Sequence, residues 1–199
     1  MINLTGDWNL AKKVINVANF NKAVNAASLI ANKRAALFLE RRMKLEIRGM
    51  SSPLNSPLTI RRKKSSHPLI DTGDLFGSIT HIILSPTEAW VGVPESKSGR
   101  QSGNLTLADI AQILQGGAIG EIPKDIIIKP VKAKTLFIPL KKGVKVGDTG
   151  LTFGKDFILT KIVRIRPRPF ILPALVKSQD EIIQIYKQSF SLVFKKLIG

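Results

Sequence analysis

Between Asn19 and Arg48 apolar side chains recur at three- and four-residue steps (Val24, Ala27, Ile30, Ala31, Leu37, Phe38 and Leu45), while Arg34, Arg41, Arg42 and Arg48 fill much of the remainder. That period is helical, and a proline-free run of this length predicts one long helix with a single apolar face. Gly49 stands where a left-handed C-cap would end it. A second amphipathic stretch closes the sequence. Ile182, Ile183, Tyr186, Phe190, Val193, Phe194 and Leu197 make a broad apolar face that reaches toward Ile198. Asp180 and Glu181 precede it and Lys195 and Lys196 close it, the order that a helix dipole favours.

Two long helices must cover their apolar faces, and the segments between them read as strands. "THIIL" and "AWVGV" are predicted to pair as a hairpin through Ser85, Pro86, Thr87 and Glu88, with Pro86 preset for the second place of a turn. Further strands are expected over "DIIIKP", "TLFIPL" and "FILTKIVRIR", the last two separated by a Gly- and Lys-rich excursion from Lys141 to Lys155. Asp7 can cap a short N-terminal helix, and "LTLADIAQILQGG" reads as another helix, stopped by Gly116 and Gly117. The prediction is an α+β fold: a mostly antiparallel sheet packed against long N-terminal and C-terminal helices, with extended loops. A length of 199 residues suits one domain over 1–199, with loops at 50–66 and 141–155. With 44% hydrophobic residues the chain can bury a core.

Thirty-one Lys and Arg stand against fourteen Asp and Glu, a formal net charge of +17. Such an excess favours an anionic partner, whether nucleic acid, an acidic protein or a headgroup layer. Without cysteine there is neither a disulfide nor a thiolate metal site. The start, "MINLTGDWNLAKK", lacks the basic region and apolar core of a secretory signal, and no apolar run reaches the roughly 20 residues of a membrane span. The expectation is a protein used without export and without a membrane.

One stretch, "HPLIDTGDLFGSITH" from His67 to His81, gathers enough polar groups to suggest chemistry. His67, Asp71, Asp74 and His81 are the best metal donors, yet a metal needs three or four convergent ligands and no HExxH spacing is present. Ser78, His81 and Asp71 could form a nucleophile system, but the GxSxG elbow is missing. "GDTGLTFGKD" lacks the phosphate-loop spacing and its closing Lys-Ser/Thr pair. A structural reading accounts for more. Asp71 or Thr72 can cap a short helix, Gly73 permits the sharp entry, Asp74 lies near the first-turn amides, and Leu75, Phe76 and Ile79 face inward together. No enzyme, metal or cofactor is expected.

The basic segments are candidate contacts. Arg61, Arg62, Lys63 and Lys64, with Lys141 and Lys142, lie in predicted loops, and Lys161, Arg164, Arg166 and Arg168 alternate along a predicted strand edge. They could neutralise DNA phosphates, so a basic DNA-binding protein of genome packaging or organisation is one reading, with affinity falling steeply with salt. One Tyr and two Trp provide no stacking platform for single strands.

Several segments together resemble the tail-completion, or virion-morphogenesis, family of tailed bacteriophages, whose relatives are described as neck or head-to-tail joining proteins. "PLIDTGDLFGSI" (68–79) is similar to that family's Leu-x-Asp-Thr-Gly-x-Leu-x-x-Ser-Ile motif, carried here by Asp71, Thr72, Gly73, Leu75, Ser78 and Ile79. "RPRPFILPAL" (166–175) is similar to its Pro-x-Arg-Pro-Phe-Leu segment, carried by Arg168, Pro169 and Phe170. "VGVP" and "LADIAQILQGG" support the match in the right order, although the central helix has Leu107, Ala108 and Ile113 where the family often has an aromatic-Ala pair and a His. The resemblance implies a non-enzymatic virion protein of the head–tail junction, a tail terminator, tail-completion or connector component assembled in the bacterial host cytoplasm. It further implies a homo-oligomeric ring, hexameric, in contact with connector, tail tube or sheath and with passing DNA.

Overall fold

A computed structural model describes residues 17–53, 55, 59–60, 67–70, 73–95, 106–117, 122–129, 136–139, 152–154 and 157–198. The predicted N-terminal helix at Asp7, Arg61 to Lys64, Asp71, Thr72, Lys141 and Lys142 lie outside them. The described elements are α1 (Val17–Gly49), α2 (Asp74–Ser78), β1 (Thr80–Ser85), β2 (Glu88–Gly92), α3 (Leu107–Gln115) and β3 (Ile126–Ile128). They continue with β4 (Leu136–Pro139), β5 (Thr152–Gly154), β6 (Phe157–Thr160), β7 (Val163–Ile165), α4 (Ile171–Val176) and α5 (Gln179–Ile198). The class is α+β, with long helices near both ends and antiparallel strands between them.

The strands do not form the single sheet that the sequence predicts. Among the described residues they make three small ones, β1-β2, β3-β7 and β4-β6-β5. The predicted strand "FILTKIVRIR" is broken at Lys161 and Ile162, so that β6 joins β4 and β5 while β7 turns to β3. The excursion expected as a loop supplies β5, whose Phe153 stands opposite Ile158 of β6.

The chain divides into two compact units: Met1–Arg42, His81–Val91 and Val176–Gly199 form the first, Met43–Thr80 and Gly92–Leu175 the second. In the first, α1 buries a stripe of small residues, Ala23, Ala27, Ala31 and Ala35, one helical turn apart. The pattern read from sequence misplaces its large members, since Ile30, Leu37 and Leu45 are exposed. Asn32 joins the buried stripe instead. Its side-chain amide donates to Pro86 O in the hairpin turn, and its side-chain oxygen accepts from the Tyr186 hydroxyl of α5. A buried amide must find partners or lose its hydration uncompensated. Here one Asn ties a helix, a turn and a second helix together. His81 Nδ1, on β1, donates to Glu40 Oε2 of α1 at 2.6 Å and fixes the same hairpin. On α5 the acidic first turn and basic last turn follow the sequence prediction, and Phe190 and Phe194 stack, with Phe20 against Phe194. Ile183, assigned to the apolar face, is exposed, and Ser189 is buried in its stead with its hydroxyl donating to Ile185 O.

In the second unit α2 packs against α3. The start of α3 is held by a reciprocal cap: Thr106 Oγ1 accepts from Asp109 N, and Asp109 Oδ2 accepts from Thr106 N. The Thr106 backbone amide, and then its hydroxyl, hold the Asp109 carboxyl below the usual carboxylate range. At the other end Gly116 takes the left-handed conformation at φ 79°, as a stop at this glycine requires. Gly49 does not behave that way: it is the last residue of α1, outside the left-handed region, and Met50 N closes on Ile47 O.

Candidate functional site

Both motif segments, far apart in sequence, lie in the second unit, and a relay of contacts runs between them. Phe170 is fully buried, and Arg168, two residues earlier, turns inward. Its Nε donates to Pro53 O and its Nη2 to Asn55 Oδ1, each at 3.2 Å. The Asn55 side-chain nitrogen in turn donates to His67 O at 3.1 Å. His67 then reaches the end of α1, with Nε2 2.7 Å from Arg48 O and Nδ1 2.8 Å from Pro68 O. Carbonyls only accept, so the ring serves this turn as a donor. The Arg48 guanidinium lies over the Phe76 ring at 4.7 Å, a cation–π distance. Arg168, Asn55, His67 and Arg48 therefore make a chain of contacts from the "RPRPF" segment to α2.

Burial, and then the neighbouring Arg166 charge, pull the Arg168 guanidinium below its ordinary value. Arginine keeps its charge in proteins, and its planar fork is what lets one side chain hold two acceptors. Lysine cannot reproduce that geometry. Arg168→Lys should therefore cost about 1.5–3 kcal/mol, the range for hydrogen bonds to a charged group. The check is guanidinium unfolding of the purified chain, and an unchanged midpoint would show that the fork holds nothing.

The capping roles expected of Asp71 and Thr72 lie outside the described residues. Gly73 occupies the N-cap position of α2, at φ 85°. A left-handed cap is costly for a residue with a β-carbon, so the glycine itself makes the sharp entry. Leu75 and Ile79 are buried, Ser78 is buried with its hydroxyl donating to Leu75 O at 2.7 Å, and Phe76 stays half-exposed beneath Arg48. Pro169 is half-buried between Arg168 and Phe170.

Three of the groups weighed for chemistry, Ser78, His81 and His67, have partners within the fold. The Ser78 proton goes to a backbone carbonyl, His81 is held by Glu40, and His67 stands against Arg48 O. Among the described residues no group of three or more His, Asp or Glu is placed to hold a metal ion. No described helix is long and apolar enough to cross a membrane. Of the candidate basic contacts, Arg164 is exposed on β7 with Nε 3.5 Å from Asp125 Oδ2, and Arg166 is exposed just after it. The edge expected to carry Arg164, Arg166 and Arg168 together loses Arg168, which faces the interior contacts described above. Asn55 escapes a sequence reading because a lone Asn between prolines in "SSPLNSPL" looks like any loop residue. The chain matches no family model, no curated protein and no solved structure.

Proposed function

We propose that this chain is a structural protein of the neck of a tailed bacteriophage, forming a homo-oligomeric ring, hexameric, at the head–tail junction that completes or terminates the tail. Connector, tail tube or sheath are its neighbours, the host cytoplasm is where it assembles, and no cofactor or catalysis is involved. The observation that carries this reading is the relay between its two motif segments, with Arg168 of one joined through Asn55 to the backbone of His67, the residue just before the other. Residues shared with an assembly family are then explained as one folding device: buried Leu75, Ile79 and Phe170 anchor it, while its polar atoms bind backbone. Small sheets of two and three strands among the described residues and a net positive charge suit association around a closed ring beside acidic neighbours.

The test is immuno-gold labelling of purified virions under negative stain. Label confined to the junction is the expected result, with particles from a deletion strain showing filled heads unjoined to tails. Virions that lack the protein would sink the proposal.

A further inference from the structure

The β3-β7 ribbon of the second unit has two unlike faces. Its register pairs Ile126 with Ile165, Ile127 with Arg164 and Ile128 with Val163. Side chains alternate along a strand, so Ile127 and Arg164 share a face, and Asp125, Lys129, Ile162 and Arg166 flank the two strands one residue beyond their ends. The Arg164–Asp125 ion pair places Asp125 on that side. All six are exposed, whereas on the other face Ile126, Val163 and Ile165 are half-buried and Ile128 is exposed. Ile127 keeps 48% and Ile162 51% of full exposure, set near three cations of which, among the described residues, Arg164 has an acidic partner in Asp125. Burial, and then the Arg166 charge, lower the Arg168 pKa.

We infer that this face is a docking surface for an acidic protein segment that presents carboxylates together with apolar side chains. Lys129 and Arg166 supply the charge that such a segment answers, and Ile127 and Ile162 supply the apolar area that it covers. A second copy of the same face is disfavoured, because it would set these cations against their equals in a chain already at +17. Duplex DNA fits less well, since two half-exposed isoleucines neutralise no phosphate. A face able to cover at most about two phosphates would give a logarithmic salt slope of only about −2. The inference names the partner chemistry of the proposed assembly protein, and rests on that reading only in taking the partner to be a neighbouring protein.

The experiment titrates the full chain, with isoleucine methyls labelled for NMR, against a synthetic peptide of alternating Glu and Val and against a mixed-sequence DNA duplex. Saturable shifts of the Ile127 and Ile162 methyls with the peptide are expected, weakened about tenfold by Lys129→Gln with Arg166→Gln, one decade corresponding to about 1.4 kcal/mol. Ile127→Thr with Ile162→Thr should weaken the peptide as well and leave DNA retention unchanged. Both pairs lie on the surface, and circular dichroism checks that the fold is kept. Absent methyl shifts, peptide binding that ignores the isoleucines, or tighter binding of the duplex would each overturn the inference. Failure of the neck reading is seen separately, in virions that lack the protein, and does not alter the peptide titration.

Discussion

Phe170→Ala should destabilise the second unit by about 3–5 kcal/mol, the range for removing a buried aromatic ring. Phe170 has no exposed surface and heads the fully buried side chains by volume. Its position concentrates the damage. Phe170 O receives the Ala174 amide in the first turn of α4, and two residues earlier Arg168 grips Pro53 O and Asn55. A cavity at Phe170 would loosen the anchor on which that grip depends. Against a total stability of about 5–15 kcal/mol for an ordinary domain, the loss is a large fraction. Phe170→Leu keeps most of the apolar volume and should cost less than half as much. Denaturant unfolding of the two variants beside the parent chain measures this, and a shift below about 1 kcal/mol for the alanine variant would mean that the site collapses around the missing ring.

The parts of this fold legible in sequence are those set by local rules. The three- and four-residue period locates α1 and α5, Pro86 locates the hairpin turn, and Gly116 locates the end of α3. Depth is not local. The period on α1 includes Ile30, Leu37 and Leu45, yet the buried stripe is alanine, because small residues are what a close neighbour leaves room for, and sequence does not say where neighbours lie. Asn32 reads as a polar interruption until Tyr186, on the far side of the chain, supplies its donor. The split of "FILTKIVRIR" has the same origin: both halves have strand character, and only their different partners separate them. At the candidate site, the inward-facing Leu75 and Ile79 follow from spacing, whereas the Arg168–Asn55–His67 relay depends on three segments meeting. The sharp entry read at Gly73 is also local, since a glycine adopts positive φ without the cost a β-carbon brings.

Gly116→Ala should be the other severe single substitution, and its cost has two separable sources. At φ 79° an L-residue carries left-handed strain of about 1–2 kcal/mol. A β-carbon built there would also lie 2.7 Å from Pro167 Cβ, 2.9 Å from Lys124 O and 3.0 Å from Lys124 N. None of these is the end of a flexible side chain, so backbone must move. That backbone is already committed, since Lys124 N donates to Gly116 O and Arg168 N donates to Leu114 O. Widening the gap therefore strains the end of α3, the entry to β3 and the segment leading to Arg168 together. The expected loss exceeds about 2 kcal/mol, strain and overpacking combined. Gly116→Asn separates the two sources, because asparagine tolerates the left-handed region but brings the same β-carbon. If the clash dominates, asparagine will be nearly as damaging as alanine; if the dihedral dominates, it will recover most of the loss. Gly77→Ala is the internal control: it lies inside α2 with nothing within 4 Å of a built β-carbon, so helix propensity predicts a gain of up to about 1 kcal/mol. Equal unfolding midpoints for Gly116→Ala and Gly77→Ala would remove the close approach at Gly116 as the reason that glycine stands there.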